Sequence, residues 1–174
     1  MKSMRFNPSW DEGGGRAVCG LIEMMCDIGE LKTTKTINCI EIGTYTGESA
    51  LIISSFTFIH SMICIDPYFT NIASKRLNHK NNIKLIPVKS SEYVENVSDQ
   101  SIDMIYIDGC HKIECIYNDL YQWYPKIKNN GFICGHDYIP KFQPIIDTVN
   151  DFADKHKFLI KTYRDGSYLM IKNN

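Results

Sequence analysis

At 174 residues with 44% hydrophobic side chains, the chain is long enough to close the core of one full domain. Its 19 basic and 20 acidic residues leave a formal net charge of -1, and no Lys/Arg cluster interleaves with aromatics, which argues against a nucleic-acid partner. No apolar run approaches membrane-spanning length, no hydrophobic stretch follows Met1-Lys2-Ser3-Met4-Arg5, and the seven cysteines form no Cys-x-x-Cys pair; a reduced, cytoplasmic protein with no membrane partner is expected.

The first element to mark is Trp10-Asp11-Glu12-Gly13-Gly14-Gly15, which reads either as a mobile lid over a pocket or as a flexible tail. From about Arg16 to Glu30, Leu21, Met24, Met25 and Ile28 keep helical spacing and predict a helix packed on a sheet. Thr36 to Ile42 is β-branched and strand-prone. It runs through Gly43-Thr44-Tyr45-Thr46-Gly47 into the helical pattern of Ala50 to Phe56. A strand that feeds a helix through glycines brings backbone close to a ligand and aims free N–H groups at it. The spacing is Gly-x-x-x-Gly with Glu41 two residues ahead. It is neither the dinucleotide fingerprint Gly-x-Gly-x-x-Gly nor a phosphate loop ending in Lys-Ser/Thr.

Ser61 to Asp66 reads as a second strand ending in a carboxylate, where nucleoside-binding α/β folds place an acid to accept both ribose hydroxyls. Capping of a helix is the competing role for Asp66, which stands before Pro67. Further strands are read over 83–88, 102–108 and 131–137, with helical patterns over 70–80, 90–96, 111–128 and 142–155. This alternation predicts a parallel sheet covered on both faces. Lys157 to Tyr163 and Ser167 to Lys172 are strand-like runs joined by Arg164-Asp165-Gly166, an Asp-Gly hairpin signal. The Asn/Lys patches 78–84, 126–130 and 172–174 read as polar turns. Cys39, Cys64 and Cys134 lie in apolar strands, where a thiol behaves as a small buried hydrophobe.

The glycine turn with Glu41 resembles motif I of the class I S-adenosylmethionine (SAM) methyltransferases, and the resemblance covers about residues 36–172. It implies an α/β fold: one Rossmann-like, doubly wound sheet of seven strands, mostly parallel, closed by a C-terminal antiparallel hairpin. Residues 1–35 would be a loop and helix covering the cofactor site, and 36–174 the core, within one domain overall. SAM would lie against Gly43, Thr44, Tyr45, Gly47 and Ser49, with Glu41 near its methionine portion, Asp66 on the ribose, Ser90 and Ser91 at the adenine edge, and Asp108 beside it.

Asp108-Gly109-Cys110-His111, with Tyr117, Asp119, Trp123, Pro125, Gly131 and His136-Asp137, is similar to the small-molecule O-methyltransferase branch: the catechol, caffeoyl-coenzyme A and macrocin types. That resemblance implies a small-molecule or sugar hydroxyl as methyl acceptor, with catalysis by His111 and Asp108. It also implies a divalent cation, magnesium or similar, on Asp108, His136 and Asp137. The chain departs from the catechol type by carrying His111 in place of Lys, which fits the macrocin type. His136-Asp137 stands in place of Asp-Asn or Asp-Asp, which lowers the affinity for magnesium and favours softer ions. A neutral imidazole suits general-base work near pH 7, whereas the bland roles are a helix-opening residue for His111 and a backbone-bonded histidine for His136. His60, His79 and His156 read as surface residues. Tyr68, Phe69, Trp123, Tyr124, Tyr138 and Phe142 serve an acceptor pocket or the core equally well. The rival readings are a nicotinamide oxidoreductase of the same fold and a SAM-binding protein without catalysis; a homo-oligomer is left open.

Overall fold

The structure, a computed structural model, describes residues 18–173. The Trp10 to Gly15 segment and the start of the expected N-terminal helix lie outside the described residues. The first helix, α1, spans Cys19–Leu31 and buries Leu21, Met24, Met25 and Ile28, the stripe its spacing predicts.

Strand β1 (Ile37–Ile42) leads into α2 (Glu48–Ser54), then β2 (Ile59–Ile65), α3 (Asn71–Leu77), β3 (Ile83–Ile86) and the short α4 (Ser90–Tyr93). After β4 (Ile102–Ile107) come α5 (Ile113–Trp123), β5 (Ile127–Gly135), α6 (Gln143–His156), β6 (Lys161–Thr162) and β7 (Tyr168–Ile171). The seven strands form one sheet in the order β3-β2-β1-β4-β5-β7-β6. Strands β1 to β5 are parallel, and β7 joins β5 antiparallel with β6 outside it. This is the expected doubly wound α/β sheet with an antiparallel C-terminal hairpin.

Alternation along the strands sorts the core onto two faces. Ile105 and Ile107 of β4 pack with Ile116, Leu120 and Trp123 of α5 and with Val149 and Phe152 of α6. Met104 and Tyr106 face the other way, onto Met24 and Met25 of α1 and Ala50 and Ile53 of α2. Cys39, Cys64 and Cys134 share that second face, buried and unbridged, and none of the seven cysteines forms a disulfide among the described residues. Trp123 is wholly buried, which assigns it to the core and not to a pocket wall. No helix among the described residues is long and apolar enough to cross a membrane.

Several boundaries differ from the sequence reading, each for a tertiary reason. The helix expected over 111–128 ends at Trp123, and β5 already begins at Ile127. The 126–130 patch therefore enters the sheet, drawn in by pairing of Ile127 with Ile102. Of the strand expected over 157–163, only Lys161 and Thr162 pair; α6 runs on to His156 and stops where Lys157 turns left-handed at φ 59°. Lys172, expected in a polar turn, is buried, with Nζ donating to the carbonyls of Tyr124 (3.1 Å) and Ile127 (2.7 Å) above the Tyr124 ring. His60 and His79 are exposed as expected, but His156 stacks among Tyr124, Phe152 and Phe158.

Gly43 is a position where the fold tolerates no side chain. Its φ is +86°, and an added Cβ would strike the carbonyl oxygen of Asp108 and the Cα of Gly109, both backbone atoms that cannot swing aside. Gly43→Ala is therefore expected to destabilise the chain by more than about 2 kcal/mol, combining left-handed strain with overpacking. Chemical denaturation checks this; a variant as stable as the parent would show that the β1 and β4 loops part easily.

Candidate functional site

Four backbone hydrogen bonds just beyond the strand ends bring the chemistry together. Gly43 N donates to Ile65 O (2.9 Å), Asp66 N to Ile86 O (3.3 Å), Asp108 N to Ile42 O (2.8 Å) and His136 N to Ile107 O (3.1 Å). Each continues the ladder one step beyond its strand, so the residues after β1, β2, β4 and β5 emerge side by side. Asp137 follows with φ 64°, a left-handed conformation that Asp accommodates better than most residues, and Tyr138 N is fixed to Gly166 O at 2.9 Å.

Over these ends lies a cavity of about 640 Å³, within the range of small-molecule sites. Gly43, Thr44, Tyr45, Ser49, Asp66, Ser90, Ser91, Asp108, His111 and His136 all line it. Val18 and Leu21 at the start of α1 border it as well. Glu41 and Gly47 are not among the lining residues. Gly47, at φ +77°, caps α2 from below and packs on Leu77.

Glu41 lies beneath the loop with no solvent exposure. It accepts hydrogen bonds from Thr44 Oγ1 (2.7 Å) and Ser49 Oγ (2.6 Å), tying both ends of the glycine turn to β1. Burial raises its pKa to about 7; the two hydroxyls pull it down only in part, and the Asp108 charge pushes it up further. Asp66 is engaged from the other side. Its Oδ2 accepts from the backbone N–H groups of Thr44 (3.0 Å) and Tyr45 (2.8 Å), and its Oδ1 from Tyr68 N (2.7 Å). The acid thus holds the turn in shape, and it also lines the cavity.

The third group is at the β4 and β5 ends. His111 Nε2 is 2.7 Å from Asp137 Oδ2; the imidazole is 41% exposed and the carboxylate buried. His136 Nδ1 lies 3.0 Å from Asp137 Oδ1 and 3.9 Å from Asp108 Oδ1. Burial works against protonation of His136, but the Asp137 hydrogen bond and the Asp108 charge outweigh it and leave its pKa above the ordinary histidine value. Asp108, His111 and Asp137 present ligand atoms within 4.8 Å of one another. The cation set expected from the sequence, Asp108, His136 and Asp137, shares two members with this cluster; His111 stands where His136 was expected. The Phe142 ring packs on His111, with centroids 4.8 Å apart.

Asp119 and Asp165 also line the cavity, without an assigned role in the sequence reading. Asp119, inside α5, is buried and accepts from Ser90 Oγ at 2.5 Å. Asp165, read only as a turn residue, reaches back to α1 and accepts from Leu21 N at 2.7 Å. Neither was legible locally, because each acquires its place through a contact with a distant segment.

Residues 40–138 match the family described as "Methyltransferase domain", and the chain belongs to this family. Among curated proteins, the uncharacterized protein R132 of Acanthamoeba polyphaga mimivirus is 26% identical over 129 residues, which covers 63% of this chain and 58% of that protein's length. The chain thus spans little more than half of that relative. Among solved structures, an rRNA methylase from Streptococcus thermophilus superposes with a TM-score of 0.69 at 12% identity, covering 89% of this chain and 97% of the other. A SAM-dependent O-methyltransferase from Thermotoga maritima gives 0.62 at 9% identity, covering 87% and 65%. Spermidine synthase from the same organism gives 0.66 at 13% identity, covering 92% and 62%. At such identities the likeness is one of fold alone, and the fold serves more than one kind of transfer.

The elevated Glu41 pKa carries a stability consequence. An acid whose pKa rises on folding, here from 4.5 to about 7, favours the folded state fully below the lower value, and that stability is lost as pH rises through the higher one. The wild-type chain should therefore be weaker at pH 8 than at pH 5. Glu41→Gln should remove on the order of 1–3 kcal/mol of that difference. Urea midpoints at the two pH values measure it; an unchanged difference would mean that Glu41 ionises normally in the fold.

Proposed function

We propose that this chain is a SAM-dependent methyltransferase that transfers a methyl group to a hydroxyl of a small molecule or sugar. The observation that carries this reading is one cavity lined both by the glycine turn with Asp66 and by Asp108 and His111. A donor site and an acceptor site sharing one wall is what a direct transfer between two bound reactants needs. The family match supports methyl transfer over the nicotinamide reading. The built His111–Asp137 contact supports catalysis over mere binding.

The residues fit SAM by size and by chemistry. The cavity volume suits an adenosyl amino acid, Asp66 offers acceptors for a sugar diol, and the turn offers backbone close to the ligand. Bound there, SAM supplies an electrophilic methyl on a sulfonium, so the chain needs no covalent intermediate and acts by positioning and proton removal. With its Nε2 hydrogen directed at Asp137, His111 keeps Nδ1 as the acceptor for the proton of the hydroxyl. Asp137 stabilises the resulting imidazolium, and Asp108 holds the acceptor hydroxyl at the cavity wall.

A second reading rests on the convergence of Asp108, His111 and Asp137. A mixed set of one nitrogen and two carboxylates fits a divalent cation, with manganese or zinc better suited than magnesium. A cation held there would lower the pKa of a bound hydroxyl. In that case His111 is a ligand and no longer a free base. A cytoplasmic protein acting without nucleic-acid or membrane partners completes the proposal; its neutral charge balance and seven unbridged thiols support that setting.

Calorimetric titration with SAM should show binding; none at millimolar ligand would overturn the reading. His111→Ala should lower methyl transfer to a panel of catechols and sugars by about 10²-fold or more while SAM affinity holds. Equal loss of both would make His111 structural. Chelation separates the two mechanisms: turnover that survives it belongs to the free base, and turnover restored only by added manganese or zinc belongs to the cation.

A further inference from the structure

Two of the seven thiols meet at the cavity wall. Cys110 follows the Asp108–Gly109 turn and is exposed, while Cys115 is half-buried in the first turn of α5. Helix geometry aims the second at the first. Each Cα–Cβ bond of a helix tilts towards the N-terminus, so the Cys115 sulfur points back at the loop that enters α5. Cys115 N donates to Lys112 O at 3.0 Å, which folds the intervening residues into a tight turn. The side chains interact directly: contact with the Cys110 thiol, followed by burial, pushes the Cys115 thiol up to about 11.

The other thiols are placed differently. Cys39, Cys64 and Cys134 are buried in the sheet face beneath α1 and α2, out of reach of a solute. Cys19 and Cys26 lie seven residues apart on α1, about 10 Å along its axis, too far for a bond within an intact helix. Cys110 and Cys115 combine solvent access with mutual contact, and His111 stands between them in the chain.

We propose that Cys110 and Cys115 form a modification site, which a small disulfide oxidant of the glutathione class converts reversibly to an intramolecular disulfide that carries His111 away from Asp137. The exposed Cys110, as thiolate, attacks one sulfur of the oxidant. A mixed disulfide forms, and one glutathione thiolate leaves and takes up the proton that Cys110 gave up. The Cys115 sulfur then attacks the Cys110 sulfur, and its proton goes with the second departing glutathione. Two thiols lose two electrons in all, and the oxidant is reduced to two thiols. Such reversible disulfides are the kind compatible with a reducing compartment. Forming the bond draws the two sulfurs well inside contact distance. Cys115 is held by its helix, so the movement falls on the loop that carries Cys110 and His111. The 2.7 Å contact of His111 Nε2 with Asp137 depends on that loop and is lost when it moves.

The test incubates the reduced full chain with oxidised glutathione and maps its disulfides by peptide mass. A Cys110–Cys115 link that dithiothreitol reverses is expected. Cys115→Ser should instead trap glutathione on Cys110, whereas Cys26→Ser should leave the link as it is. In the NMR spectrum the His111 ring signal, identified by its loss in His111→Ala, should shift on oxidation and return on reduction. Glutathione left on Cys110 of the wild type, or a link between other cysteines, overturns the inference. So does a link that forms while the His111 signal stays in place. Where methyl transfer is measured, oxidation should lower it about 10²-fold, the cost of a misplaced catalytic group, and undiminished transfer overturns the inference as well. A chain that forms the link and shifts His111 but binds no SAM overturns the methyltransferase reading and leaves this site standing.

Discussion

The close approach of two loops, β1's at Gly43 and β4's at Asp108–Gly109, is the contact on which the site depends. Parallel strands end at one edge of a sheet by geometry, but nothing in that geometry obliges the loops beyond them to meet. Here they meet because Gly43 lacks a side chain and because Asp108 N bonds to Ile42 O, extending the β1–β4 ladder into the turn. Any Cβ at position 43 would push the glycine turn away from Asp108 and Gly109. The two halves of the cavity wall would then drift apart.

Around that contact the acids divide their work by burial. Glu41 is sealed beneath the turn and acts as a scaffold through Thr44 and Ser49. Asp66 is shared between the turn's backbone and the cavity. Asp137 is buried between two imidazoles, only one of which, His111, is substantially exposed. Residues of similar chemistry thus serve different ends because desolvation and donor number differ from one to the next. A carboxylate sealed away from the cavity serves the fold alone, whereas one at the cavity wall is also open to a ligand.

The N-terminal part of the chain is joined to this site by long-range bonds. Asp165, in the turn between β6 and β7, accepts from Leu21 N of α1, and Tyr163 Oη donates to Asp27 at 2.5 Å. The last hairpin therefore braces the first helix, whose leading residues border the cavity. Sheet order makes this possible: the hairpin joins the sheet beside β5, and its turn crosses towards the α1 face.

The sequence alone determined the α/β sheet, the glycine turn, the strand-end acids and the closing hairpin, because each rests on a local pattern: β-branched runs, helical spacing, Gly-x-x-x-Gly and Asp-Gly. It could not say that β5 begins at Ile127 or that Lys172 is buried, since those depend on which strand lies alongside. Nor could it rank Glu41 below the cavity, choose His111 over His136 for the cluster, or give Asp119 a place at the wall. Burial and donor count are properties of neighbours distant in the chain, and only the packed sheet brings those neighbours together.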